Sequence, residues 1–328
     1  MPLGEFELIA RYFTRPARRA VLGVGDDCAL LAPTPGMQLA ISSDMLVEGR
    51  HFLKTVAPDA LGHKALAVNL SDLAACGATP LGFTLALALP CVDELFLAGF
   101  SRGLFALADA HDVELVGGDT TAGPLVICIT VFGEVPPGQA LRRDGARACD
   151  DLWVSHPVDG GLGDARLALE AFRGHVDLSD AEFTRARRAM ERPQPRVALG
   201  LALRGIAHSA IDLSDGLLGD LGHILERSGV GARLDYAALP RSPMLAAQAA
   251  ALQRQCLLQG GDDYELLFSA PPGARTAVLR AATTGGVAAS RIGVVESIPG
   301  LRLLEPEGKV STMSARGFDH FRDSGVTP

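Results

Sequence analysis

The chain has 328 residues, 48% of them hydrophobic and 21% charged, which exceeds the roughly 100–200 residues of one domain and supports two buried cores rather than disorder. Its formal net charge of -8 excludes the basic surface that nucleic acid requires, and a polyphosphate approaching such a chain is repelled unless cations intervene. The six cysteines, Cys28, Cys76, Cys91, Cys128, Cys149 and Cys256, form no C-x-x-C pair. They lie mostly in apolar stretches, the usage of a chain kept in a reducing cytoplasm.

Phe6, Ile9, Ala10 and Phe13 recur at helical spacing and predict a packed N-terminal helix. Arg11, Arg15, Arg18 and Arg19 follow, but Glu5 and Glu7 stand where a signal peptide needs apolar residues, so no targeting segment is read here. Strands are predicted at Met37–Ser43, Val113–Val116 and Leu125–Glu134, and helices at Pro58–Cys76 and Asp93–Ala110. The longest apolar run, Leu125 to Gly133, is about half a membrane span, so no membrane insertion is expected.

Pro136-Pro137-Gly138 and the polar stretch from Arg142 to Asp151 can neither extend a helix nor pair in a central strand. They place a linker at 138–150, between an N-terminal domain of residues 1–137 and a C-terminal α/β domain of residues 151–328. In the second half, Asp151–His156, Ala207–Leu213, Ala232–Tyr236, Tyr264–Ser269 and Ile292–Val295 read as strands. Gly160–Gly174, Glu182–Met190, Arg196–Gly205 and Leu217–Ser228 read as helices. The alternation throughout gives an α/β fold class with mixed helices and strands. Gly25-Asp26-Asp27 is echoed by Gly261-Asp262-Asp263, through two related modules or through chance.

Magnesium prefers oxygen ligands, keeps several waters and is usually held by one or two carboxylates plus substrate phosphates, so a site for several ions reads as isolated Asp residues on strand ends and loops. Five stations fit. Gly25-Asp26-Asp27 lies between apolar residues, with a surface turn as its other reading. Ala40-Ile41-Ser42-Ser43-Asp44 ends a predicted strand in three hard oxygen donors, or else caps a helix. Asp72 stands in the apolar helical run Asn69–Ala75, where a buried carboxylate needs a partner. Gly117-Gly118-Asp119 closes a strand with amides that can meet phosphate. Asp212-Leu213-Ser214-Asp215-Gly216 sits between strand and helix, a position suited to anions or metal. The near-duplicate Asp177-Leu178-Ser179-Asp180 is followed by Glu182, which makes it a capping box.

In order, these stations resemble those of the thiamine-monophosphate kinase family, in the superfamily of aminoimidazole ribonucleotide synthetase, selenophosphate synthetase and a hydrogenase-maturation protein. The resemblance runs from Gly4-Glu5-Phe6 to Gly317-Phe318-Asp319, with Lys64–Asp72 and Gly260-Gly261-Asp262-Asp263-Tyr264-Glu265-Leu266 as its most distinctive segments. It implies a two-domain aminoimidazole ribonucleotide synthetase-like fold. The N-terminal domain would bind ATP and metal and carry a dimer-forming sheet. The implied reaction is transfer of the γ-phosphoryl group of ATP to thiamine monophosphate, aided by several Mg²⁺ ions in a cytoplasmic homodimer.

The same resemblance assigns metal to Asp27, Ser42, Ser43, Asp44, Asp72, Asp119, Asp212 and Asp215, and ATP to Gly118, Asp119, Arg143 and Ser214. It assigns the thiamine phosphate to His51, Asp262 and Phe318. The family often has Glu where Asp262 stands and Trp or Tyr where Phe318 stands, so this chain has a shorter reach and lacks a polar tip there. No catalytic base is expected, because a phosphate acceptor is already ionised at neutral pH; Arg143 and the metals neutralise charge. Taken on residues alone, His51 also reads as a surface histidine, Arg143 or Arg142 as an exposed linker arginine, and Phe318 as core packing. The rival functions are another ATP-using synthetase of the superfamily and a non-catalytic metal or nucleotide sensor.

Overall fold

The structure, a computed structural model, describes residues 3–315. The chain forms two compact units, the first reaching to Gly138 except for Ala74–Gly77, which belong with the second, from Gln139 onward. Among the described residues no helix is long and apolar enough to cross a membrane.

The first unit runs α1 (Glu5–Tyr12), β1 (Gln38–Val47), α2 (Pro58–Cys76), β2 (Thr79–Leu89), α3 (Glu94–Ala110), β3 (Glu114–Ala122) and β4 (Val126–Val135). Its four strands lie in the order β1-β4-β2-β3, antiparallel except for the β2–β3 pair. Alternation decides which face is covered. Phe83, Leu85 and Leu87 of β2 and Ile127, Ile129 and Val131 of β4 are buried, together with Leu66, Leu70 and Leu73 of α2 and Leu97, Phe100 and Leu104 of α3. Each such side chain contributes about 1.5–3 kcal/mol by leaving water.

Two strands run further than the residue pattern predicts, and one is new. β1 continues through Asp44 to Val47, paired along its whole length with β4. β3 continues past the glycines to Ala122. β2 was not predicted as a strand because Pro80 and Gly82 interrupt it near its start, where the pairing with β4 shifts register. Its remaining residues are too uniformly apolar to show a period of two.

One carboxylate ties down the segment between α1 and β1. Glu114 accepts the backbone N–H groups of Arg18 (2.7 Å), Arg19 (2.9 Å) and Ala20 (2.5 Å). Burial disfavours its charge, but the three donors and Arg18 outweigh that and hold the carboxyl below the usual glutamate range.

The second unit runs β5 (Asp151–His156), α4 (Asp164–Phe172), α5 (Asp180–Glu191), α6 (Val197–Ala202), β6 (Ser209–Asp212), α7 (Leu217–Ser228), β7 (Gly231–Asp235), α8 (Pro243–Ala246), α9 (Ala250–Gln259), β8 (Leu266–Ala270), α10 (Arg275–Thr284), β9 (Ala288–Glu296), β10 (Gly300–Leu304) and β11 (Val310–Met313). Its seven-stranded sheet has the order β11-β10-β7-β9-β5-β8-β6, with β10 and β7 parallel and the other pairs antiparallel. The start of β8 is fixed by buried Glu265, which accepts Ser155 Oγ at 2.5 Å and Arg196 Nε at 2.7 Å, with a second bond from the same guanidinium. β6, which carries Asp212, is the edge strand beside β8.

Glu114→Ala should cost about 2 kcal/mol of stability at neutral pH, since buried N–H groups lose a charged acceptor. Because the folded carboxyl is held low, this contribution is present above the ordinary glutamate range and vanishes as pH falls through the folded value. Denaturant titrations of both proteins at pH 7 and in acid should therefore show the difference shrinking on acidification.

Candidate functional site

In the first unit, α2 and β1 bring three of the expected residues together. Asn69 and Asp72, three residues apart, leave α2 on neighbouring positions. Ser42 Oγ donates to Asp72 Oδ2 at 2.5 Å, and Asp44 N donates to Asn69 Oδ1 at 3.0 Å. Asn69 is itself buried and held by a bond from Nδ2 to Ala65 O at 3.0 Å. Ser42, Asp44 and Asp72 thus form one oxygen-rich group on the helix-covered face of the sheet. Ser43 is parted from them: its hydroxyl lies 2.9 Å from Thr130 Oγ1 on the opposite face and reaches Ile129 O at 3.2 Å.

Asp119 is exposed and stands opposite Ala86, in the row that continues through Cys128 to Met45. Gly118 before it has φ 149°, and a Cβ there would fall 1.9 Å from Leu85 O, so only glycine fits. Asp27 is exposed in the loop before β1, and Asp26 Oδ1 accepts Asp27 N at 2.9 Å, giving Asp26 a local turn-forming bond. His51 follows β1, and its Nδ1 accepts Val47 N at 3.0 Å, which assigns the proton to Nε2.

In the second unit, β6 ends at Asp212 and the turn Leu213–Gly216 leads into α7. The loop 260–264 packs on that turn. Asp262 N donates to Ser214 O at 3.0 Å, and Tyr264 N to Leu213 O at 2.8 Å. Asp262 and Tyr264 both take the left-handed conformation, with φ 68° and 49°, a cost that the surrounding bonds must offset. Asp263 turns inward and accepts Gly163 N with both oxygens, at 3.0 and 3.1 Å, and burial pushes its carboxyl well above the usual range.

Residue patterning missed Asp220. It is 2% exposed on α7 and accepts the N–H groups of Asp215 and Gly216, both at 3.1 Å. Burial, reinforced by the nearby charges of Asp212 and Asp215, pushes its carboxyl up to about 8. The signal was present, since Asp220 interrupts the apolar run Leu217–Leu221 just as Asp72 interrupts its own.

Arg143 lies in the segment before β5, where its carbonyl accepts Ser228 Oγ at 2.9 Å. Its side chain is exposed, while Arg142 pairs with Asp144 at 2.5 Å. Phe318 lies outside the described residues. The Asp177–Asp180 copy is a capping box, with Ser179 N donating to Glu182 Oε2 at 3.0 Å and Glu182 N to Ser179 Oγ at 3.4 Å.

The donors suit magnesium: carboxylates and hydroxyls, with the acidic groups around Asp220 crowded enough to repel one another. Among the described residues no three His, Cys, Asp or Glu side chains converge as a ready ligand shell. Magnesium commonly takes only one or two carboxylates and completes its shell with water and phosphate oxygens.

Two linked domains of this kind characterise the AIR synthase related proteins: the model of their N-terminal domain matches residues 25–135 and that of their C-terminal domain residues 152–304. Thiamine-monophosphate kinase of Escherichia coli K12 is 46% identical over 329 residues, covering 98% of this chain and 99% of that protein. The crystal structure of thiamine-monophosphate kinase from Stenotrophomonas maltophilia K279a aligns with a TM-score of 0.82 at 45% identity, covering 89% of this chain and 92% of that one. AaThiL complexed with AMPPCP and TMP aligns with a TM-score of 0.76 at 28% identity, covering 88% and 89%. This chain belongs to the thiamine-monophosphate kinases.

Ser179→Ala provides a control for the duplicated motif. Loss of the cap should cost about 1 kcal/mol, read as a lower melting temperature, with the turnover rate unchanged.

Proposed function

We propose that this chain transfers the γ-phosphoryl group of ATP to thiamine monophosphate, giving thiamine diphosphate and ADP. The observation that carries the reading is 46% identity along nearly the whole length of a thiamine-monophosphate kinase. The complex of AaThiL with AMPPCP, an ATP analogue, and TMP supports both substrates. Residues 1–137 serve metal and ATP, residues 138–150 link, and residues 151–328 form the second domain.

The chemistry needs no general base, since the attacking oxygen of a phosphate is already ionised at neutral pH. What the chain supplies is position and charge control. Mg²⁺, when bound, neutralises phosphate charge and orients the transferring group. Asp27, Ser42, Ser43, Asp44, Asp72 and Asp119 of the first unit and Asp212 and Asp215 of the second are its ligand candidates. Ser42 and Asp44 gain precision from their bonds to α2. Gly118, Asp119, Ser214 and Arg143 are assigned to ATP. Arg143 is preferred to Arg142 because the latter is already paired with Asp144. His51, Asp262 and Phe318 are assigned to thiamine phosphate.

The protein acts as a cytoplasmic homodimer joined through the sheet of the first unit. On β1, Leu39, Ile41 and Met45 are 50%, 60% and 56% exposed on the face away from the helices. An apolar strand face at a sheet edge is a natural partner for a second copy.

With thiamine monophosphate, ATP and Mg²⁺, ADP release should be acceptor-dependent and should yield thiamine diphosphate. Asp44→Asn, Asp119→Asn and Asp215→Asn should each lower kcat by on the order of 10²-fold or more with melting temperatures preserved; wild-type rates at saturating Mg²⁺ would sink the ligand assignment. Ile41→Arg should convert a dimeric native mass to a monomeric one, and an unchanged mass would remove this face from the interface.

A further inference from the structure

We propose that Asp220 is a positioning residue for the reaction: from inside α7 it holds the Ser214–Gly216 turn, and through it Asp215, in working geometry. The inference rests on the kinase reading for its activity readout, and on the structure alone for its geometry.

Helix starts leave backbone N–H groups without partners, and a side chain at the N-cap normally accepts one of them. The N-cap of α7 is Gly216, with φ 106° and no side chain to offer. Asp220, four residues into the chain beyond it, instead serves the residues just before the helix: one oxygen, Oδ2, takes both Asp215 N and Gly216 N at 3.1 Å. The helix closes over this arrangement with Asp220 N donating to Gly216 O at 3.0 Å. A side chain on Gly216 would run into the backbone of Gln259 and Gly260, so the turn cannot be capped from its own position.

The opposite side of the turn is held by the bond from Asp262 N to Ser214 O. Asp220 therefore holds Asp215 and Gly216 from the helix side, while Asp262 holds Ser214 from the loop side. If the Asp220 bonds are lost, Asp215 and the Ser214 carbonyl that anchors Asp262 can move together. Displacements near 1 Å at a positioned group can cost on the order of 10²-fold in rate.

Both bonds end on a single oxygen, so asparagine keeps what the turn uses and leucine removes it. Asp220→Asn and Asp220→Leu are compared with wild type in the full chain. Amide exchange at Asp215 and Gly216, melting temperature, kcat, the KM values for ATP and thiamine monophosphate, and the Mg²⁺ concentration at half-maximal rate are measured.

Asp220→Leu should speed exchange of the two amides at least about tenfold, lower kcat by on the order of 10²-fold and raise the half-saturating Mg²⁺ concentration. Asp220→Asn should keep the amides protected and kcat within about fivefold of wild type, the rescue that a hydrogen-bonding role predicts. The proposal is overturned if Asp220→Leu loses only melting temperature, or if Asp220→Asn loses as much rate as Asp220→Leu, which would mean that the charge matters and not the bond. Should Asp220→Leu fail to fold, Asp220→Asn decides by the same limits. A wild-type protein that does not phosphorylate thiamine monophosphate would defeat the kinase reading, while amide exchange would still judge the geometry.

Discussion

Carboxyl groups repel one another more strongly out of water than in it, and the second unit places Asp212, Asp215 and Asp220 where that repulsion is felt. Burial, and then its acidic neighbours Asp212 and Asp215, push the Asp220 carboxyl up to about 8. Its folded proton affinity exceeds the unfolded one, so as pH rises from the ordinary aspartate range toward that value the unfolded chain ionises while the folded carboxyl stays protonated, and stability falls. The surrounding structure offsets this cost. The β6–β8 ladder carries Asp212, the turn is gripped from two sides, and the loop 260–264 accepts two left-handed residues to reach it.

The acidic residues divide by how far their hydrogen-bonding capacity is used within the fold. Glu114 takes three backbone donors, Glu265 takes Arg196 and Ser155, and Asp151 takes Arg275 at 2.6 Å and Arg291 at 2.5 Å. Removing one partner from such a buried pair is costly, which suits anchors. Asp27 and Asp119 instead lie exposed in a loop and on an edge strand, where oxygen lone pairs remain open to solvent and to phosphate-bound cations.

This division explains what residue patterns could and could not disclose. The two Asp-Leu-Ser-Asp copies differ in their neighbours, and that was enough: Glu182 makes one a cap, while the apolar strand before the other delivers Asp212 to a turn. Asp72 was legible as a charge inside an apolar helix, but its partner was not, because Ser42 is thirty residues away and only folding joins them. Asp220 obeyed the same criterion yet passed for an ordinary helical residue. Its task depends on a glycine cap whose missing side chain leaves no mark of its own. β2 escaped because Ala86 and Ala88, small apolar residues on its open face, stand between buried leucines, so its burial alternates while its residue pattern does not.

β1 shows how tightly these requirements are joined. A period of two sends Ser42 and Asp44 toward α2, and Leu39, Ile41 and Met45 to the open face that we assign to a second copy. Both uses depend on one register, set by ten consecutive pairings with β4. A slip of one residue would turn the carboxylate outward and the apolar side chains onto the helix, so it would disable the site and the proposed interface in the same step. The length of β1 beyond Asp44 is therefore functional: the residues to Val47 clamp the register at the point where Asp44 must be exact.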